Sequence, residues 1–265
     1  MYRTVEPNLT CDPICEESPW EIFHENSKLG RHFSALSTEE VLEQVKKLHE
    51  SLPFEGYPLI KLPRALARIN VPLDEAIMAR SSGREMVLSK LSLKELTTLL
   101  HYAYGIRRTG KRTSYPRPFR VVPSGGGLYP LEIFFHCAQV AGLQAGLYHY
   151  NPNRHHCRFL RSGDETGRLA QATAYPAFMS KANIIIFISA LFQRSTFKYG
   201  DRGYRFTLLE AGHVAQNINL VSSALDLASV NIGGYFDAEI DEFLDLDGLL
   251  HSTVYMIAVG KKLDE

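Results

Sequence analysis

Apolar positions along the 265-residue chain follow two rhythms. A three- and four-residue spacing predicts helices. "SALSTEEVLEQVKKLHES" puts Val41, Val45 and Leu48 on one face, opened by a Ser37–Glu40 capping box. "SLKELTTLLHYAYGI" repeats the device with Ser92 and Glu95 ahead of Leu96, Leu99 and Leu100. A short helix from near Asp74, another over residues 165–174, a long one over "RGYRFTLLEAGHVAQNINLVSSALDL" and a short "AEIDEFLDL" complete the set. Continuous or alternating apolar runs predict strands: "LEIFFHCAQV", a hairpin "GLYHYNPNRHHCRFL", a buried "NIIIFISALF" and a closing "STVYMIAVG". Helices and strands intermix without strict alternation, which predicts an α+β fold. Small residues on the long helix (Ala211, Gly212, Ala215, Ser222, Ser223, Ala224) permit close approach of another helix, from this chain or from a second subunit.

Residues 1–65 read as an extension with one helix, and "PFEGYPLIKLPR" reads as a linker along a surface. Residues 66–265 form the main domain. No repeat or low-complexity tract interrupts them.

Composition narrows the classes. Lys+Arg and Asp+Glu both number 29, so the balance gives no support for nucleic acid or an anionic membrane as partner. The N-terminus lacks the apolar core of a secretory signal, and the longest apolar run is too short to span a bilayer. A cytoplasmic protein is expected. Four cysteines do not build a disulfide framework. Cys11 with Cys15, and His155–His156–Cys157, lack a second ligand pair at zinc spacing, so no metal site is expected.

Three segments carry candidate chemistry. "RSSGR" groups Arg80, Ser81, Ser82 and Arg84 at the end of a short helix. Planar guanidinium forks beside hydroxyls match phosphate, although a solvated helix end reads the same way. "PSGGG" (Pro123, Ser124, Gly125, Gly126, Gly127) precedes a strand, unlike a dinucleotide fingerprint, and lacks the Lys-Ser/Thr of a P-loop. Positive φ or close approach to a flat partner remains as its reason, against a plain tight turn. Gly233 and Gly234 bring bare backbone to the end of another strand. "FKYGDRGYRF" sets Lys198 and Tyr199 before the long helix; such groups act as bases at neutral pH only once their surroundings retune them.

Together "RSSGR", "PSGGGLYPLEIFF", "GLYHYNP", "KYGDRGYRFTLLEAGHVAQN" and "VNIGGYF" resemble the nitroreductase-fold flavoproteins. Within these the chain is similar to the SagB-type branch, which oxidises azoline heterocycles in ribosomally made peptides; Phe23 to Ser34 matches that branch's leading segment. The resemblance implies a central, mostly antiparallel sheet wrapped by helices, in an intertwined homodimer with FMN at the interface. It places Arg80, Ser81, Ser82 and Arg84 at the flavin phosphate and ribityl chain, Pro123 to Gly127 against the isoalloxazine, and Gly233 and Gly234 on its other side. Lys198 and Tyr199 match the branch's catalytic pair. It implies FMN-dependent dehydrogenation of a peptide thiazoline or oxazoline to the azole, by α-proton abstraction and hydride transfer to flavin N5. A cyclodehydratase and docking protein are the implied partners. A generic NAD(P)H-dependent nitro or quinone reductase, and a largely structural flavin-holding subunit, stand as alternatives. The chain departs from many nitroreductases after the last strand, where only Lys261 and Lys262 stand in for a phosphate-binding basic residue.

Overall fold

Ile184, Ile186 and Ile188 pack into one apolar cluster while Ile185 and Phe187, between them, pack into a second. This period-two split inside one apolar run belongs to a strand covered on both faces. It organises the molecule into helix, sheet and helix layers.

The computed structural model describes residues 18–31, 36–48, 51–87, 89–110 and 118–263. In chain order the elements are α1 (Pro19–Asn26), α2 (Thr38–Lys47), β1 (Leu59–Lys61), α3 (Leu73–Ala79), β2 (Met86–Val87), α4 (Leu93–Tyr104), β3 (Ile106–Thr109), β4 (Pro118–Arg120), β5 (Leu131–Cys137), β6 (Gly146–Asn151), β7 (His156–Ser162), α5 (Thr166–Gln171), β8 (Ile184–Leu191), α6 (Gln193–Tyr199), α7 (Asp201–Ala224), β9 (Leu227–Ile232), α8 (Asp237–Leu244) and β10 (His251–Lys262). The main sheet runs β1-β7-β6-β5-β8-β10-β2, with β9 also on β10, and every ladder is antiparallel. The α+β expectation holds.

On one face, α4 and α7 bury Leu96, Leu99, Leu100, Val214 and Ile218 against Ile133, Phe135 and Ile257. On the other, α5 and α8 bury Leu169, Ile240 and Phe243 against Phe134, Phe187 and Met256. Both expected capping boxes form, with Ser37 accepting from the Glu40 N–H and Ser92 from the Glu95 N–H. Ala211, Ala215 and Ser222 are buried within the chain, whereas Gly212 faces outward.

Several elements depart from the sequence reading. The expected linker contributes β1, whose Leu59–Lys61 pair with Arg158–His156 of β7. β3 and β4 pair with each other and have no counterpart among the expected strands. Lys198 and Tyr199 end a short helix of their own, α6. In the leading segment, α1 docks on α7: Arg205 donates to the His24 carbonyl at 2.7 Å, and Phe23 meets Tyr204 edge-on. Cys11 and Cys15 lie outside the described residues. Cys157 is a buried free thiol, pushed up by burial, and the His155 ring bonds to Tyr150 and the Pro63 carbonyl. Among the described residues, no helix is long and apolar enough to cross a membrane.

Candidate functional site

Just before β5 the glycine run closes one 3-10 turn, with the Gly127 N–H donating to the Ser124 carbonyl at 2.9 Å. Gly126 and Gly127 both adopt φ of 62°, the left-handed region expected of them. The space left by the missing side chains is used within the chain. A Cβ on Gly126 would lie 2.5 Å from the Tyr199 hydroxyl and 3.2 Å from Lys198 Nζ; one on Gly125 would lie 2.9 Å from the Phe206 ring. Lys198 Nζ itself sits 5.0 Å from the Tyr199 ring centroid, and Tyr199 meets Phe206 edge-on at 5.1 Å. The expected loop and the expected base pair are therefore one constellation. Both side chains of the pair are half-buried.

Two buried carboxylates fix this arrangement. Glu132, the second residue of β5, forms an ion pair with Arg194 of α6 at 2.6 Å and a hydrogen bond with His149 at 2.6 Å, and it accepts the Leu52 N–H at 3.1 Å. Burial alone would raise this carboxyl, but Arg194, His149 and Arg120 outweigh it and hold Glu132 well below the usual carboxylate range. Arg194 stands one helical turn before Lys198, so this ion pair pins the helix that carries Lys198 and Tyr199. Glu210, on α7, accepts the Tyr104 hydroxyl at 2.6 Å and is hydrogen-bonded to Ser124. Sequence reasoning missed Phe206, Glu210, Tyr104 and the Glu132–Arg194 pair. The signal for Glu210 is an acid on the stripe Gly203, Thr207, Glu210 and Val214, all of which are buried.

"RSSGR" lies elsewhere. Arg80 caps α3, and Ser81, Ser82 and Arg84 are exposed beyond it. The Gly83 N–H donates to the Ser229 carbonyl at 2.9 Å, and a Cβ there would lie 2.8 Å from that of Ala228, so the segment is seated on β9. The Arg84 guanidinium lies 5.0 Å from the Phe178 ring centroid. Among the described residues neither Arg80 nor Arg84 forms a salt bridge. Gly233 and Gly234 follow β9, exposed, with the Gly234 carbonyl accepting the Ala174 N–H at 2.9 Å. Lys261 and Lys262 are paired with Glu95 and Asp226.

Within one chain the expected site residues thus form two groups. Phe206 touches the glycine run; Asn219 accepts the Ser229 hydroxyl beside Gly83. These two positions of α7 are thirteen residues apart, about 20 Å of helix. One group sets Lys198 and Tyr199 beside bare backbone. The other offers exposed guanidinium and hydroxyl groups with a second bare turn, a donor set suited to a phosphate on a flat ring system.

Comparison with known proteins gives a consistent family. Residues 77–261 match the Nitroreductase family. The chain is 36% identical over 194 residues to the protein named Putative nitroreductase MJ1384 of Methanocaldococcus jannaschii, covering 73% of this chain and 93% of that one. It is 27% identical over 232 residues to the trifolitoxin-processing protein TfxB of Rhizobium leguminosarum bv. trifolii, covering 85% of this chain and 61% of that one. Among solved structures, a nitroreductase from Anabaena variabilis superposes with a TM-score of 0.72 at 23% identity, over 92% of this chain and 47% of that one. A chain of the Escherichia coli microcin synthetase McbBCD complex with truncated pro-MccB17 gives 0.58 at 23% identity, over 92% of each. A nitroreductase from Desulfovibrio desulfuricans, solved in complex with FMN, gives 0.50 at 20% identity, over 74% of this chain and 88% of that one. The chain thus spans about half the length of the first of these structures.

Proposed function

The chain belongs to the Nitroreductase family, and from that premise we propose that it is a SagB-type FMN-dependent dehydrogenase converting a peptide thiazoline or oxazoline to the azole. The observation that carries this reading is the placement of Lys198 Nζ and the Tyr199 hydroxyl directly over Gly126. A flavin that only relays hydride between small molecules needs no protein base, whereas azole formation removes a proton and a hydride from adjacent atoms. The peptide-processing names of one relative and of one structural neighbour support a peptide as substrate and a complex as the setting; a cyclodehydratase and a docking protein are the partners that the resemblance implies.

Each residue has a task. Arg80 and Arg84 would meet the flavin phosphate with charge-assisted hydrogen bonds, and Ser81 and Ser82 would add hydroxyl donors toward it and the ribityl chain. Pro123 to Gly127 would present main-chain N–H groups to the ring edge, where negative charge develops. Gly233 and Gly234 would admit the ring's other side. Bound FMN supplies a two-electron acceptor at N5. Lys198 or Tyr199 takes the α-carbon proton, so the peptide loses two hydrogens in total.

The two groups of site residues, about 20 Å apart along α7, support a homodimer in which one flavin touches both chains. Leu73, Ile77 and Met78 of α3 and Leu208 and Leu209 of α7 are exposed apolar side chains suited to that contact. We read residues 1–65 as an N-terminal extension and residues 66–265 as the flavin-binding domain.

The test is mass spectrometry of an azoline-bearing peptide incubated with the flavin-loaded protein. A loss of two hydrogens, abolished in Lys198→Ala, supports the reading. An unaltered peptide, with rapid NADPH-driven reduction of nitroaromatics that ignores Lys198→Ala, replaces it with the generic reductase.

A further inference from the structure

Glu210 is a buried acid that the proposed reaction does not use. It is 2% exposed, and the two hydroxyls that reach it each accept a main-chain N–H just after the glycine run. Ser124 Oγ accepts the Tyr129 N–H at 2.9 Å, and Tyr104 Oη accepts the Leu131 N–H at 3.2 Å. Tyr129 extends the network by accepting the Arg120 N–H at 3.0 Å, and the Arg120 guanidinium lies 3.9 Å over the Tyr104 ring. Phe206, one turn before Glu210 on α7, backs Gly125.

We propose that Glu210 is a positioning residue for residues 124–131, and that its ionisation switches this loop between a form locked to α7 and a looser one. The inference rests on the reading of that loop as flavin-facing.

The chemistry of the cage sets the direction. The groups facing Glu210 are Tyr104 from α4, Arg120 from β4 and Ser124 from the loop; its neighbours on the same face of α7, Phe206 and Val214, carry no charge. An ionised carboxylate accepts both hydroxyl protons, leaving the two hydroxyl oxygens free to receive the Tyr129 and Leu131 N–H groups. A protonated Glu210 must donate, and Tyr104 Oη and Ser124 Oγ are the acceptors beside it. Each is already committed to a loop N–H, so the added proton competes with the bonds that shape the loop. Burial raises the Glu210 carboxyl to about 7 against the opposing pull of Ser124, Tyr104 and Arg120, which puts the change at neutral pH. By reciprocity, a ligand that needs the locked loop binds more tightly above that pH and helps keep Glu210 ionised.

Two readouts test this, one of them independent of flavin. In the purified protein without added flavin, the near-ultraviolet circular dichroism of Tyr104 and Tyr129 should change with a midpoint near pH 7 in the wild type. It should stay at the low-pH form in Glu210→Gln. FMN affinity, read by quenching of flavin fluorescence, should weaken about tenfold on crossing that midpoint downward in the wild type. In Glu210→Gln it should be weak on both sides. The flavin phosphate titrates near ~6, so the difference between the two proteins is the signal. Glu210→Asp serves if Glu210→Gln fails to fold: it keeps an acid at a changed distance and should move the midpoint. An unchanged pH dependence in Glu210→Gln, or an unmoved midpoint in Glu210→Asp, overturns the proposal. A wild-type protein that shows the tyrosine transition but takes up no FMN upholds the switch and removes the cofactor reading.

Discussion

The hydroxyl of Tyr199 stands where a side chain on Gly126 would begin, 2.5 Å from its would-be Cβ. The glycine admits the tyrosine, and the tyrosine keeps the glycine bare. Gly126→Ala must displace Tyr199 and Lys198 and also force a substituted residue to φ of 62°, a conformation costing about 1–2 kcal/mol. We expect a modest fall in melting temperature and a much larger fall in peptide oxidation. Gly167→Ala is the control: it lies exposed in α5 with nothing within 4 Å of its would-be Cβ, and should stabilise by roughly 0.5–1 kcal/mol. Thermal melts of the two variants check both signs.

Lys198→Ala and Tyr199→Phe probe the proposed base directly. Neither side chain anchors the core, so both variants should fold and keep their flavin. Peptide oxidation should drop roughly 10²–10⁴-fold in at least one of them, the usual contribution of a positioned base. Wild-type rates in both variants, measured by peptide mass against time, would remove the pair from the mechanism.

The phosphate assignment separates FMN from riboflavin. Arg80→Ala and Arg84→Ala should each weaken FMN by about 10–100-fold, the worth of a hydrogen bond to a charged group. Riboflavin, which lacks the phosphate, should bind the variants and the wild type alike. Equal losses for both ligands in a fluorescence titration would place the arginines elsewhere on the cofactor.

Acid lability follows from the buried cluster behind α6. Burial pushes His251 down to about 4, so between the ordinary histidine value of ~6.5 and that pH the unfolded chain binds more protons. Its contribution, up to about 3 kcal/mol, is complete above this window and lost as pH falls through it. Glu132, held below the usual carboxylate range, adds a second loss once pH falls below the ordinary carboxylate value. His251→Gln should flatten stability across the first window. Glu132→Gln should cost about 3–5 kcal/mol, on the order of 10 °C, because it strands the buried Arg194. Chemical denaturation at stepped pH reads both effects.

How far the sequence reveals these features depends on the range of the interaction behind each. Capping boxes, the isoleucine run and the β6–β7 hairpin are local, and all stand where periodicity placed them. β1 is invisible because a three-residue strand flanked by prolines gains its hydrogen bonds from a strand nearly a hundred positions away. α6 is hidden by its length of seven residues and by its anchor, Arg194, whose partner Glu132 is distant in sequence. The glycine run was legible as a place needing bare backbone. Its occupant was not, since Tyr199 and Gly126 are brought together by the packing of α6 and α7. Glu210 is marked only by its position on an otherwise uncharged stripe, and a lone acid there reads equally as a solvated face.

The account turns on whether these loops and arginines grip a flavin. Equilibrium titration of FMN into the purified protein, followed by gel filtration, measures this directly. The account predicts a yellow protein that saturates near one flavin per chain, retains it through the column, and loses it in Arg84→Ala. A colourless wild-type protein from which added FMN elutes separately would contradict it.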